Sequence, residues 1–180
     1  MSKGKTSWKV KKSRYVLENP WIKVRRDDVD VGGEVLDYYI LEEGPDVIIA
    51  ALTSKNELLF NKTFKAGIWD NVIELPAGYI DKGNTPRQAA LSELREETGY
   101  VASKLKKVGE LYRSPLRSTQ VTSVFLAQDL SFKGQDLEVD EKQNKVVKIK
   151  VEKALKMIKK GEIKDMASVA AVLMVEKLVT

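Results

Sequence analysis

The segment from Thr85 to Gly99 most constrains the fold, because it carries the signals for both ends of one helix. Thr85 is a good N-cap, Pro86 suits the first helical position, and Gln88 lies where a capping box places Glu or Gln. Gly99 is a typical C-terminal stop. We expect a helix whose inward face is formed by Leu91, Leu94 and Thr98.

Short apolar runs on both sides of this helix predict the strands of a buried sheet. Residues 47–52 and 58–60 are continuous apolar runs, and 72–75 is another short strand pattern, which ends at Pro76. Other patterns predict strands near 105–113, 121–130 and 145–151, and helices near 152–160 and 166–178. The expected fold class is α/β, with a mixed sheet flanked by helices.

The N-terminal region has a different pattern. Residues 7–43 alternate between polar and apolar side chains, which predicts two or three strands with a turn at Gly32-Gly33. Gly44-Pro45 then breaks the chain. We therefore divide the chain into a strand extension, 1–43, and a main domain, 44–180.

The composition excludes several kinds of active site. The 180 residues include no Cys and no His, so thiol nucleophiles, Cys/His zinc sites and Ser-His-Asp triads are excluded. A catalytic metal would need oxygen ligands, which suit Mg²⁺, Mn²⁺ or Ca²⁺. The net charge of +5 is dispersed, which favours solubility over nucleic-acid binding. No apolar run is long enough to span a bilayer, so we expect no membrane partner and a cytoplasmic location.

Three carboxylates on the capped helix are the strongest chemical feature. The spacing of Glu93, Glu96 and Glu97 places them on one stripe of the helix. Like charges three or four residues apart repel, and a divalent cation would turn that repulsion into coordination. From spacing alone, a solvated acidic face is the alternative explanation.

The segment from Gly78 to Tyr100 resembles the signature of the Nudix hydrolases. The positions in register are Gly78, Glu93, Leu94, Glu96, Glu97, Gly99 and Tyr100. Two positions depart from the signature, since Asn84 stands where Glu is usual and Ser92 where Arg is usual. Both departures are neutral, so no unpaired charge is left behind.

Over nearly the whole chain, the sequence is most similar to the ADP-ribose pyrophosphatase group of that family. The strand extension at 7–43, Pro115 and the segments 124–130 and 161–165 carry this similarity. The resemblance implies a Nudix α/β/α sandwich and a homodimer that exchanges its N-terminal strands. It also implies hydrolysis of the pyrophosphate bond of ADP-ribose or a related nucleoside diphosphate sugar. Mg²⁺ is the expected cofactor, with Mn²⁺ as the alternative.

The resemblance also implies roles for single residues. The Ala77 carbonyl and the side chains of Glu93 and Glu97 would hold metal, with Glu96 as a further ligand, direct or through water. The general base would come from the loop after Leu130, where the candidates are Glu138, Asp140 and Glu141, and we take Glu141 as the catalytic one. Lys65 would bind a phosphate, because it stands where Arg is common in the group.

Two residues outside the signature are candidate substrate contacts. Arg117 follows Ser114-Pro115, where many relatives carry Gly and an acidic residue. Trp21 is a candidate for stacking on the base, and an ordinary core position is the alternative for this residue.

Two other functions stay open at this stage. One is hydrolysis of RNA 5′ ends or nucleoside triphosphates, which the basic charge weakly favours. The other is an inactive Nudix-like domain that only binds nucleotides.

Overall fold

A computed structural model of the chain describes residues 7–135 and 144–179. Its strands are β1 (Lys9–Glu18), β2 (Lys23–Asp30), β3 (Val35–Leu41), β4 (Asp46–Ala51), β5 (Glu57–Lys65), β6 (Asp70–Glu74), β7 (Ala77–Tyr79), β8 (Tyr100–Tyr112), β9 (Val121–Phe132) and β10 (Lys145–Lys150). Its helices are α1 (Pro86–Thr98), α2 (Val151–Lys159) and α3 (Met166–Val179).

The chain forms two compact units. The N-terminal unit comprises the chain up to Gly44 together with Tyr112–Gln120, and the main unit comprises Pro45–Leu111 and the chain from Val121 onward. The return of Tyr112–Gln120 to the first unit has no signal in the sequence. It is fixed by backbone hydrogen bonds from Leu41 to Arg117 and from Thr119 to Leu41.

The main unit contains two sheets with apolar clusters on both faces. One sheet is mixed, in the order β7-β4-β9-β8, with β4 parallel to β9 and antiparallel to β7; the other is antiparallel, in the order β10-β5-β6. Alternate residues of β4 point to opposite faces. Val47, Ile49 and Ala51 pack in the cluster that includes α1, and Ile48 and Ala50 pack in the cluster that includes α2 and α3. The layers are therefore helix, sheet and helix.

The N-terminal unit contains an antiparallel sheet of β1, β2 and β3. All ten residues of β1 are exposed, whereas Asp27 and Val29 of β2 are buried. Gly32 and Gly33 form the turn between β2 and β3 with φ of 115° and 106°, values that glycine adopts without strain.

The fold class expected from the sequence is confirmed, and every predicted strand and helix is present within a few residues. The helix expected from Thr85 to Gly99 is α1, and its buried residues are Ala89, Ala90, Leu94, Glu97 and Thr98. Of the three residues predicted for its inward face, Leu94 and Thr98 are buried and Leu91 is partly buried. Among the described residues, no helix is long and apolar enough to cross a membrane.

Candidate active site

The caps of α1 fix the helical positions of the three glutamates. The Thr85 side chain accepts a hydrogen bond from the Gln88 backbone N–H at 3.3 Å, and the Gln88 side chain accepts one from the Thr85 N–H at 2.9 Å. Gly99 ends the helix with φ of 76°, and its N–H donates to Arg95 O at 2.7 Å. This is the capping box and left-handed stop that the sequence predicts.

Glu97 is buried, with 6% of its surface exposed. Its Oε2 accepts hydrogen bonds from Asn61 Nδ2 at 2.9 Å and from the Ala77 backbone N–H at 3.0 Å. The two donors lie on β5 and β7, so three elements meet at this carboxylate. Ala77 and Glu97, both expected to hold metal, are therefore in direct contact.

Glu93 lies against the residue that follows Ala77. A Cβ added at Gly78 would overlap the Glu93 carboxylate, which would have to shift to make room for a larger residue. Gly78 has no positive φ, and its role is therefore this close approach rather than an unusual backbone conformation. Glu93 and Glu97 thus reach two consecutive residues of the chain.

Glu96 has a different arrangement. Its Oε1 accepts a hydrogen bond from the Ser92 hydroxyl at 2.7 Å. Within 7–135 and 144–179, no three acidic side chains converge closely enough to form a metal cluster. A cation shared by all three glutamates would have to draw them together. Ser92, where the Nudix signature has Arg, here contacts one of the expected ligands.

The segment from Glu74 to Ala77 is held from its other side by α3. The Leu75 N–H donates to Ser168 Oγ at 2.8 Å, and the Ser168 hydroxyl donates to Asp165 Oδ2 at 2.6 Å. Ser168 is fully buried. This chain of hydrogen bonds fixes the backbone immediately before Ala77.

Lys65, the expected phosphate contact, is paired with an acidic residue. Its Nζ lies 2.6 Å from Glu74 Oε1 across the β5–β6 hairpin. Asn61 and Glu74 are direct partners in the same pair of strands. Side chains of directly paired residues lie on one face of a sheet, so Lys65, Glu74 and Asn61 share a face.

The N-terminal unit places the two other candidate substrate contacts. Trp21 is 91% exposed, which excludes a position in the core of this chain. Arg117 lines a cavity of about 160 Å³ together with Asp37, Tyr38, Tyr39 and Leu116. Two tyrosine rings and a guanidinium therefore lie side by side around this cavity.

The same unit is rich in paired charges. Arg25 contacts both Asp27 and Glu42, and Ser13 donates a hydrogen bond to Asp27. The Arg25 guanidinium, by its hydrogen bond, holds the pKa of Asp27 below its usual range. Asp27 is 5% exposed, so it is a buried carboxylate with a cationic partner.

Some site residues lie outside this account, and others were not found from the sequence. The expected general base Glu141, with Glu138 and Asp140, lies outside the described residues. Asn61 was missed, although an amide directly after the apolar run Leu58-Leu59-Phe60 was a usable signal.

Two family models match the chain. The NUDIX domain matches residues 43–169, and the nucleoside diphosphate sugar hydrolase N-terminal domain matches residues 8–31. The first match includes α1 and the four candidate metal ligands, Ala77, Glu93, Glu96 and Glu97. The second lies within β1, β2 and the residues around them.

Individual proteins agree with these models. An ADP-ribose pyrophosphatase of Bacillus subtilis is 33% identical over 81% of this chain and 80% of its own length. A GDP-mannose pyrophosphatase of an Enterobacter species is 29% identical over 84% and 82%. The crystal structure of an ADP compounds hydrolase superposes with a TM-score of 0.87 at 19% identity, covering 98% of this chain and 96% of that one. This structural match confirms the expected fold.

Proposed function

The chain belongs to the NUDIX family, and from that premise we propose that it hydrolyses the pyrophosphate bond of nucleoside diphosphate sugars. It is an enzyme of the pyrophosphatase type, and its products are a nucleoside monophosphate and a sugar phosphate. We take ADP-ribose as the representative substrate, because the relative named for it is 33% identical. The observation that carries the proposal is the meeting of Glu93 and Glu97 at Ala77-Gly78.

The residues at this meeting point fit a divalent cation. Carboxylates and a backbone carbonyl are the hard oxygen donors that Mg²⁺ prefers, with Mn²⁺ as a substitute. Glu97 is already oriented by donors from two strands, and Glu93 is admitted by the absence of a Cβ at Gly78. When bound, such ions neutralise the pyrophosphate oxygens and lower the pKa of an attacking water.

The protein side chains supply the remaining functions in this proposal. Glu96 adds a carboxylate once it leaves the Ser92 hydroxyl. Glu141 accepts the proton of the attacking water. Lys65 contributes a positive charge beside the substrate phosphates, and its ion pair with Glu74 keeps the ammonium group in place.

The N-terminal unit has two proposed roles, which are base binding and dimer formation. Trp21 and Arg117 are its proposed substrate contacts. The unit leaves apolar side chains about half exposed or more along β1 and nearby, a pattern that a second copy of the chain would cover. These side chains are Trp8, Val10, Tyr15, Trp21, Val35 and Tyr39. Size-exclusion chromatography with light scattering should report a homodimer, and a monomer at micromolar concentration would contradict this role.

One substrate panel tests the function. The full chain is assayed with Mg²⁺, Mn²⁺ and EDTA against ADP-ribose, GDP-mannose, dinucleotides, nucleoside triphosphates and capped RNA. The proposal expects metal-dependent release of a monophosphate from the two nucleotide sugars at a higher kcat/KM than from the other substrates. A preference for triphosphates or capped RNA would support the first alternative function. Binding of ADP-ribose without turnover of any substrate would support an inactive binding domain. A cytoplasmic location is the last part of the proposal.

A further inference from the structure

Asn61 is a polar residue directly after a fully buried apolar run. Leu58, Leu59 and Phe60 are 0% exposed, and Asn61 is 1% exposed. Removing an amide from water is unfavourable unless its donor and acceptor both find partners. Packing alone therefore does not explain an asparagine at this position of β5.

The donor end of the amide is committed to Glu97. A carboxylate only accepts hydrogen bonds, so the amide nitrogen of Asn61 must face it. The Ala77 N–H reaches the same carboxylate oxygen from β7. Glu97 is therefore oriented by two strands in addition to its own helix.

The acceptor end of the amide, its Oδ1 oxygen, is not committed in this way. Asn61 Oδ1 is buried and has no hydrogen-bond partner among the described residues. A leucine or valine would extend the apolar run and would remove this unsatisfied oxygen. Natural sequences break such local rules chiefly at functional sites.

We propose that Asn61 is a positioning residue, which holds the Glu97 carboxylate in the orientation that a divalent cation requires. Residues that hydrogen-bond to metal ligands orient them, and their substitution lowers metal affinity by about 10- to 100-fold. The inference rests on the proposed function, because Glu97 is a metal ligand only if that proposal holds. In this role Asn61 acts through Glu97 and not directly on substrate or metal.

A purely structural role is the competing explanation. In that case, Asn61 only provides a partner for a carboxylate that folding has buried. Its loss would then lower the unfolding midpoint but leave the metal affinity of the folded protein unchanged. Metal affinity, measured without turnover, therefore separates the two roles.

The experiment compares Asn61→Leu with Thr63→Val in the full chain. Thr63 lies two residues further along β5, on the same face, and is also buried, so it is a matched control. Mn²⁺ binding is measured by the electron paramagnetic resonance signal of the free ion, in the absence of substrate. The Mg²⁺ concentration for half-maximal hydrolysis of ADP-ribose is measured in parallel.

The proposal expects Asn61→Leu to weaken Mn²⁺ binding by about 10- to 100-fold, with most of kcat restored at saturating Mg²⁺. Thr63→Val should bind Mn²⁺ as the unsubstituted chain does. Unchanged affinity in folded Asn61→Leu would overturn the proposal. If that variant does not fold, Asn61→Ala removes the same donor without added volume, and the same comparison decides. Failure of the unsubstituted chain to bind Mn²⁺ would instead overturn the proposed metal site.

Discussion

The two units of this protein reach stability by different routes, as β1 and β4 show. β4 buries five of its six residues, whereas β1 exposes all ten. The main unit therefore has an apolar core of its own. The N-terminal unit depends much more on backbone pairing and on charged groups such as Arg25 and Asp27.

The buried carboxylates of the two units differ in the same way. Asp27 is hydrogen-bonded to the Arg25 guanidinium, a charged donor. Glu97 is hydrogen-bonded to the side-chain amide of Asn61 and to the backbone N–H of Ala77, which are neutral donors. The charged donor stabilises a buried carboxylate within the fold, and the neutral donors fix the orientation of the proposed metal ligand.

The largest expected effect tests the difference in cores. Phe60→Ala should lower the free energy of unfolding by about 3–5 kcal/mol, because it leaves a cavity in a fully buried cluster. Leu17→Ala on β1 should change it by less than about 0.5 kcal/mol in a dilute monomer. Urea unfolding at two protein concentrations checks both values. A Leu17→Ala effect that grows with concentration would show that a second copy covers β1.

The next effect tests the difference in carboxylates. Glu97→Gln should lower kcat/KM for ADP-ribose by more than about 100-fold. The reason is that removing the proposed metal ligand should cost more activity than removing a residue that only hydrogen-bonds to a ligand. The fold should be retained, because the glutamine carbonyl still accepts hydrogen bonds. Asp27→Asn is the matched control, and it should lower the unfolding midpoint while leaving kcat unchanged. Near-normal turnover in Glu97→Gln would contradict the metal site.

A third comparison uses two glycines of the main unit. Gly78→Ala forces the Glu93 carboxylate away from the backbone, so we expect kcat to fall by about 10- to 100-fold with little loss of stability. Gly67→Ala is the control, because a Cβ there meets nothing within 4 Å and the residue has no positive φ. Equal activity of the two variants would show that the position of Glu93 does not matter for catalysis.

The sequence predicted local structure well and long-range contacts poorly. The ends of α1 were predictable because their signals, Thr85, Gln88 and Gly99, lie within the helix or beside it. The hydrogen bond from Asn61 to Glu97 spans 36 residues, and no local pattern contains it. The return of Tyr112–Gln120 to the N-terminal unit is likewise a matter of tertiary pairing.

The smallest expected effect concerns the charged groups of the N-terminal unit. Backbone hydrogen bonds from Gly33, the ammonium group of Lys11 and the N–H of Gly32 lower the pKa of Asp30 to about 2. A lowered pKa in the folded state stabilises the fold at every pH above the unfolded value of about 3.9. That contribution is lost as the pH falls from about 4 through about 2.

Asp30→Asn should therefore reduce stability in a pH-dependent way. Asparagine can still accept hydrogen bonds from the glycine N–H groups but cannot form an ion pair with Lys11. The substitution therefore removes only part of the stabilisation that Asp30 provides. The unfolding midpoints of the two proteins should differ most above pH 4 and converge near pH 2. Tryptophan fluorescence follows the N-terminal unit in particular, because Trp8 and Trp21 belong to that unit and only Trp69 belongs to the main unit. A constant difference across this pH range would show that the charge of Asp30 is not what stabilises the turn.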